Sequence, residues 1–172
     1  MNIEIEKKFR VQDFNKTKEK IESLGSDFKK TKETNDRYFE VPQRTKRTKY
    51  LRIRFNNDQE DGTLAYHEVI DNLQTKEWEI DVNDTRIGQQ ILEKLGFQPE
   101  VDVKKKRLVY ILDNAEILLD EVENLGSFVE IEAPDEKTLE KIVQKLDLDE
   151  KDIVSGAGYP DLIKEKNERT TK

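Results

Sequence analysis

The sequence has no cysteine, one tryptophan, one methionine and no long apolar run. Without cysteine, a disulfide framework, a thiolate zinc site and a thiol nucleophile are all excluded. No stretch approaches the roughly 20 apolar residues of a membrane helix, so we expect no membrane partner. Charges interrupt residues 1–9 at once, which is unlike a signal peptide. A cytoplasmic location fits these absences.

The balance of charges is acidic. The 172 residues include 31 Lys and Arg against 38 Asp and Glu, which gives a net charge of −7. Proteins that bind nucleic acid without sequence preference are usually basic, so we expect no nucleic-acid partner. Since single domains usually span about 100 to 200 residues, we predict one domain over 1–163 and a polar tail over 164–172.

The pattern of apolar residues predicts eight strands and three helices. Three segments repeat one plan, in which an alternating acidic strand precedes a helix with an apolar stripe at helical spacing. These strand–helix pairs are 3–9 with 15–24, 77–82 with 85–95, and 129–133 with 136–146. The first two helices end at Leu-Gly, where glycine can adopt the left-handed cap, and Asn83 or Asp84 and Asp135 are candidate N-caps. Further strands are predicted at 37–41, 51–55, 63–70, 104–112 and 116–122.

One face of almost every predicted strand is ionic. In residues 51–55, for example, Arg52 and Arg54 alternate with apolar side chains, so they face the opposite side of the sheet. A solvated sheet face is the ordinary explanation. However, acids and bases segregate onto different strands, and three helices need an apolar sheet face to cover. Both features favour an α+β fold with a strongly curved or closed sheet, a charged lumen and helices outside.

Such a lumen would concentrate charges of both signs. Two like charges about 4 Å apart repel by roughly 4 kcal/mol at an effective dielectric near 20, so clustered carboxylates need a cation and clustered bases need an anion. Oxygen ligands without cysteine favour Mg²⁺ or Mn²⁺, and the arginine fork matches phosphate oxygens. A metal-bound polyphosphate satisfies both groups. The expected lumenal acids are Glu4, Glu6, Glu77, Glu79, Asp81, Asp120, Glu130 and Glu132, and the bases are Lys8, Arg52, Arg54, Lys105 and Arg107.

The N-terminal Glu4-x-Glu6-x-Lys8 resembles the ExExK signature of the CYTH domain family, the triphosphate tunnel metalloenzymes. That family includes class IV adenylate cyclases, thiamine triphosphatases and inorganic triphosphatases. The resemblance implies a closed tunnel of eight antiparallel strands with helices outside. Further motifs follow in the family order, namely Tyr38-Phe39-Glu40, Leu51-Arg52-Ile53-Arg54, Lys105-x-Arg107-x-x-Tyr110, Leu119-Asp120-Glu121-Val122, Leu125-Gly126-x-Phe128 and Glu130-x-Glu132.

The resemblance also implies roles for individual residues. Glu4, Glu6, Glu130 and Glu132 would hold the catalytic divalent metal, with Asp120 as a further ligand of metal or water. The triphosphate would be bound by the five bases named above. Lys8, Asp120 and His67 are the candidate catalytic residues, and His67 also belongs to the candidate substrate-binding set. In a hydrolase, a second metal or a carboxylate would activate water, whereas in a cyclase the ribose hydroxyl would attack the α-phosphate.

Three positions depart from the family pattern. His67, Thr75 and Ala157 stand where the family often has a lysine and two arginines. We therefore keep three functions open. The favoured one is metal-dependent hydrolysis of tripolyphosphate or of an organic triphosphate such as thiamine triphosphate or ATP. The others are a class IV adenylate cyclase making cyclic AMP and pyrophosphate, and a non-catalytic polyphosphate- or nucleotide-binding protein. Either a monomer or a homodimer is compatible with the sequence.

Some residues also have simpler interpretations. We predict that Phe9, Phe55 and Trp78 are core residues beneath the helices. The basic stretch 44–49 is predicted to be a solvated hairpin loop, with substrate steering as the alternative. Tyr159 is expected either to close one mouth of the tunnel or simply to pack.

Overall fold

Eight antiparallel strands close into a barrel in the order β1-β5-β4-β3-β2-β6-β7-β8. The computed structural model describes residues 1–42, 48–56, 60–154 and 158–170. This architecture confirms the closed eight-stranded sheet predicted from the sequence. The strands are β1 Asn2–Val11, β2 Asp27–Phe39, β3 Lys49–Asn56, β4 Gly62–Val69, β5 Gln74–Val82, β6 Pro99–Leu112, β7 Ala115–Val122 and β8 Gly126–Ala133.

Several helix boundaries coincide with the capping residues predicted from the sequence. Asp84 and Asp135 accept hydrogen bonds from backbone N–H groups in the first helical turn, as expected for N-caps. Gly25 and Gly96 have φ angles of 75° and 96°, which is the left-handed conformation predicted after each Leu-Gly step. The helices are α1 Phe14–Ser23, α2 Thr85–Lys94, α3 Glu136–Leu146 and α4 Tyr159–Thr170, with a short 3₁₀ turn at Glu150–Asp152.

Strand β2 begins ten residues earlier than the sequence predicts. Residues 27–36 are almost entirely polar, so they lack the apolar alternation by which a strand is normally recognised. They form a strand because β6 offers an antiparallel partner from Asp27↔Ile111 to Phe39↔Pro99, with register shifts at Phe28/Lys30 and Tyr38/Phe39. This extension brings Lys30, Lys32 and Asp36 onto the barrel wall.

Helix α4 is the fourth helix, and the sequence predicted only three. It runs through residues 164–170, which were predicted as a polar tail, and Lys164 forms an ion pair with Glu100 of β6. Its first turn is buried, with Tyr159 only 3% exposed. Tyr159 belongs to an apolar cluster that fills one end of the barrel, together with Tyr38, Tyr50, Val103, Val122 and Phe128.

The outer faces of the strands pack beneath the helices unevenly. Phe9 is fully buried in the cluster under α1 and α3, and Phe55 packs against the smaller cluster under α2. The prediction for Trp78 is wrong, because this side chain is 40% exposed. Helix α2 packs mainly over β3 and β4 and leaves Trp78 and Ile80 of β5 exposed. Of its predicted apolar stripe, Leu92 is buried, while the others are exposed: Ile87, Ile91 and Leu95.

None of the helices in the described ranges is both long and apolar enough to cross a membrane.

Candidate functional site

A cavity of about 300 Å³ lies inside the barrel. Strand alternation turns the charged side chains inward, so the cavity gathers residues that are far apart in the sequence. It contains every predicted metal-binding and substrate-binding residue except Asp120. The predicted binding residues that line it are Glu4, Glu6, Lys8, Arg52, Arg54, His67, Lys105, Arg107, Glu130 and Glu132. Thr75 and the predicted lumenal acids Glu77 and Glu79 also line it, whereas the prediction for Asp81 is wrong, because this residue is exposed near the end of β5.

Three carboxylates on the β1–β8 wall converge. Glu6 is the register partner of Glu132, and Glu130 lies opposite Lys8 on the same pair of strands. One carboxylate oxygen from each of Glu6, Glu130 and Glu132 lies within 4.8 Å of the others. Among the described residues, this is the group whose geometry could hold a metal ion. It contains three of the five metal ligands predicted from the sequence.

Crowding changes the acidity of these groups. Burial, reinforced by the neighbouring Glu130, raises the pKa of Glu6 well above its usual value. Burial and the charge of Glu130 also raise the pKa of Glu132, to about 7. Burial opposes ionisation of Glu130 itself, but the positive charges of Lys8 and Arg107 outweigh it and hold that pKa well below the usual value. Full ionisation of the three carboxylates is therefore disfavoured at neutral pH, and a bound cation would favour it.

Glu4 lies beside this group and outside the set of three. Burial, together with a hydrogen bond to Glu77, raises its pKa to about 9. The combined donor set consists of carboxylate oxygens only, which suits Mg²⁺ or Mn²⁺ rather than a softer metal. The residues present therefore fit the divalent ion that the sequence predicts.

The opposite wall of the cavity is basic, and two of its arginines are held by buried aspartates. Arg54 donates from Nε and Nη2 to the two oxygens of Asp36, at 2.7 and 2.9 Å. Arg107 donates in the same fork to Asp120, at 2.6 Å for both bonds, and also to Glu130 at 2.6 Å. Such paired bonds fix the guanidinium plane. Both arginines are therefore oriented before any ligand arrives.

Sequence reasoning missed Asp36. It is fully buried, and although burial opposes ionisation, Arg54 and Lys105 hold its pKa well below the usual value. The available signal was strand alternation, because Asp36 lies two residues before Tyr38 and so shares its inward face. Because this strand was predicted to begin at residue 37, the alternation was not applied to Asp36.

Asp120 has a different environment from the one its predicted metal role suggests. It is fully buried, and its oxygens accept from Arg107 and from the hydroxyl of Tyr159 at 2.8 Å. Lys105 Nζ lies between the two aspartates, 3.6 Å from Asp36 and 3.8 Å from Asp120. In this structure Asp120 therefore pairs with Arg107 and Lys105 of the basic wall. Its role as a ligand of metal or water stays a prediction.

Lys8 and Lys105 both approach Tyr159. The Nζ atoms lie 4.5 and 5.1 Å from the centre of its ring, within the range of cation–π contacts. Lys8 also lies 3.2 Å from Glu130. Burial, followed by the charge of Arg107, lowers the pKa of Lys105 to about 8. Tyr159 therefore packs at the closed end of the cavity and contacts the lysines there.

His67 faces the cavity as a neutral imidazole. Burial, followed by the charges of Arg52 and Arg54, lowers its pKa to about 3. Its Nε2 lies 3.1 Å from Glu77 Oε1 but has no hydrogen-bond partner among the described residues. The position supplies hydrogen-bonding capacity and no positive charge at neutral pH.

Thr75 and Ala157 are the other two departures from the family pattern. Thr75 faces the cavity, and its hydroxyl lies 3.3 Å from Glu6 Oε1. Ala157 lies outside the described residues, as do residues 44–47 of the predicted basic loop. Of the described positions, two therefore carry an uncharged side chain where a cation was expected.

Comparisons with known proteins agree with this geometry. The profile of the CYTH domain family matches residues 2–157. A Methanocaldococcus jannaschii protein named "Putative adenylate cyclase" is 32% identical over 133 residues, which is 76% of each chain. A Pyrococcus horikoshii protein of known structure is 35% identical, with a TM-score of 0.84 over 92% of this chain and 98% of that one.

A more distant structure shares the fold alone. It is a Hippeastrum protein, described as a "putative adenylyl cyclase" with a dominant triphosphatase activity. It is 17% identical to this chain, with a TM-score of 0.68 over 96% of each.

Proposed function

Because the chain belongs to the CYTH domain family, we propose that it hydrolyses a triphosphate with the help of Mg²⁺ or Mn²⁺. The substrate would be tripolyphosphate or an organic triphosphate such as thiamine triphosphate or ATP. One observation carries this proposal: the carboxylates of Glu6, Glu130 and Glu132 converge in a cavity whose other wall presents oriented guanidinium groups. The two walls complement a metal ion and a phosphate chain.

Glu6, Glu130 and Glu132 would hold the metal. When bound there, it would offset the charge of phosphate oxygens as a phosphoryl group is transferred. The arginines would bind the remaining oxygens, and Arg52 has a donor ready for this purpose. Its Nε is buried and has no hydrogen-bond partner among the described residues. An unpaired buried donor is costly, so a phosphate oxygen placed there would gain a strong bond.

Preorganisation would contribute to the rate. The carboxylates of Asp36 and Asp120 already hold Arg54 and Arg107 in fixed planes. Groups that need no reorganisation stabilise a charged transition state more effectively than mobile ones. Lys8, beside Glu130, is placed to contact the phosphate nearest the metal. Water attack requires no pocket for a base or a sugar, so hydrolysis needs the fewest parts.

A class IV adenylate cyclase is the second candidate. The cyclase name of the Methanocaldococcus jannaschii protein supports it, and so does one feature of the cavity. Apolar side chains line part of the cavity and offer a surface for a base, namely Val69, Leu73, Ile153 and Val154. A non-catalytic binding protein is the third candidate, because His67 is neutral and Thr75 uncharged.

The products separate these functions. The purified protein is incubated with Mg²⁺ or Mn²⁺ and, separately, with tripolyphosphate, thiamine triphosphate and ATP. Orthophosphate without cyclic nucleotide is the expected result and would establish a triphosphatase. Cyclic AMP with pyrophosphate would establish the cyclase instead. If no product forms but triphosphate still raises the melting temperature, the protein binds its ligand without turnover.

The metal assignment has its own test. Glu6→Gln removes one metal-binding charge and keeps the size of the side chain. We expect it to abolish metal-dependent activity and to weaken Mn²⁺ binding, while circular dichroism stays that of a folded protein. Glu121→Gln is the matched control, since Glu121 is exposed on the outside of β7. Equal activity of the two variants would rule out the assignment.

A further inference from the structure

Two lysines that the sequence analysis did not select lie at one end of the cavity. Lys30 and Lys32 belong to the polar first half of β2, and both line the cavity. Lys32 is the register partner of Arg107, and Lys30 is the partner of Val109. Lys32 therefore lies level with Arg107, and Lys30 extends the basic wall two residues further along the barrel.

The electrostatic surroundings of Lys32 are those of an anion site. Burial lowers the pKa of Lys32, and the positive charges of Lys30, Arg54 and Arg107 lower it further. Glu116 on β7 is the acid that acts in the opposite direction. Lys32 thus lies in a positive environment, in which Glu116 is the carboxylate that favours its charge while Asp36, Asp120 and Glu130 are already paired with the two arginines.

Lys30 and Lys32 also differ from the arginines in their ion pairing within the described residues. Arg54 and Arg107 are neutralised by Asp36 and Asp120. Neither Lys30 nor Lys32 forms an ion pair with any residue in the described ranges. Their charge is therefore available to a ligand without breaking an existing contact.

The apolar cluster at one end of the barrel limits the direction in which a bound phosphate chain can extend. Tyr38 lies in the apolar cluster that fills one end, whereas Lys32 is six residues away on the same strand. At about 3.3 Å per residue, this is roughly 20 Å along the strand. A phosphate chain bound by Arg54 and Arg107 cannot extend into the apolar cluster, but it can extend towards Lys32.

We propose that Lys30 and Lys32 form an additional phosphate-binding site, which holds the phosphoryl group beyond the third in a linear inorganic polyphosphate. This rests on the proposed function and deepens it, because it names the preferred substrate class. Chains of four or more phosphates would contact both the arginines and the lysines, whereas a triphosphate would contact mainly the arginines.

The test compares Lys30→Gln/Lys32→Gln with the wild type. Dissociation constants are measured for tripolyphosphate, tetrapolyphosphate and orthophosphate by calorimetry, with product analysis in parallel. We expect the wild type to bind the tetraphosphate about tenfold more tightly than the triphosphate, and the variant to lose that preference. Lys104→Gln/Lys106→Gln is the control, because these lysines are exposed on the neighbouring strand β6, and it should keep the preference.

The remaining outcomes contradict the proposal in distinguishable ways. If the variant weakens both polyphosphates equally, or if the control has the same effect, the lysines act only through general charge and the additional site is wrong. If orthophosphate alone depends on the two lysines, the site binds a free ion rather than a chain. In each case the triphosphatase proposal stands. If the wild type neither binds nor hydrolyses any polyphosphate, with or without Mn²⁺, both proposals fail.

Discussion

The two charged walls of the barrel are built differently. On the basic wall, buried aspartates hold the guanidinium groups of Arg54 and Arg107, so opposite charges are matched within the protein. On the acidic wall, Glu6 and Glu132 crowd around Glu130, and burial raises the pKa of both. The charges of Arg54 and Arg107 are thus matched by buried aspartates, whereas Glu6 and Glu132 crowd against a third carboxylate. Under the proposed function, the matched wall would present a fixed surface to phosphate, and the crowded carboxylates would be relieved by a divalent ion.

The largest expected effect on the free energy of unfolding comes from removing the buried aspartate that pairs with Arg54. Asp36→Asn leaves Arg54 without its buried counter-charge and leaves Lys105 with Asp120 alone. Removing one partner of a buried ion pair typically costs about 3–5 kcal/mol. We expect the free energy of unfolding in urea to fall by that amount. Asp102→Asn breaks a similar bidentate pair with Arg37 on the surface, and there we expect less than about 1 kcal/mol. Equal losses of unfolding free energy in the two variants would show that the buried ion pair contributes no more to stability than the surface pair.

The second prediction concerns the ligand that the basic wall binds. Arg52→Ala removes the unpaired Nε donor and the charge of the guanidinium. We expect triphosphate binding to weaken by about 1.5–3 kcal/mol, which is typical of a lost charged hydrogen bond. Isothermal titration measures the change. Arg37→Ala, outside the cavity, should leave the affinity as it is, and a similar loss in that variant would argue against Arg52 as a contact.

The acidic wall predicts a dependence of stability on pH. The pKa values of Glu132 and Glu4 are raised to about 7 and about 9, so the folded protein binds more protons than the unfolded chain above the ordinary carboxyl pKa. The free energy of unfolding should therefore fall as pH rises. The slope is at most about 1.4 kcal/mol per pH unit for each group.

The window for this measurement is pH 6.5 to 8. Below it, His67 titrates in the unfolded chain, and above it Lys105, with a pKa of about 8, acts in the opposite direction. Chemical denaturation without metal should show the fall, and saturating Mn²⁺ should flatten it by replacing the protons. A metal-free profile that rises with pH would contradict the view that the carboxylates of the acidic wall are crowded.

The smallest expected effect comes from adding a charge to the cavity. His67→Lys restores the cation that the family often has at this position. Charged hydrogen bonds are roughly twice as strong as neutral ones, so we expect triphosphate affinity to rise by about 1 kcal/mol. His67→Gln keeps a neutral donor and should give no gain. If turnover appears only in His67→Lys, the wild-type protein would be a binder rather than a hydrolase.

Much of the barrel could be predicted because strand alternation is a local property. Residues 51–55 place Arg52 and Arg54 on one face whatever their neighbours are, and the cavity contains both. The first half of β2 could not be predicted in this way, since its polar residues form a strand only by pairing with β6. Trp78 was misplaced for a related reason: which strands a helix covers depends on where it docks.

The sequence by itself determined which side chains share one face in the strands it could recognise, and that acids and bases lie largely on different strands, because the period of two follows from backbone geometry. Only the tertiary structure decided which of these charges touch. Barrel closure pairs β1 with β8 and so brings Glu6 to Glu132 and Lys8 to Glu130, although these residues come from opposite ends of the barrel sequence. It also decided that α4 and Tyr159 fill one end. Such contacts depend on long-range pairing, which no local pattern encodes.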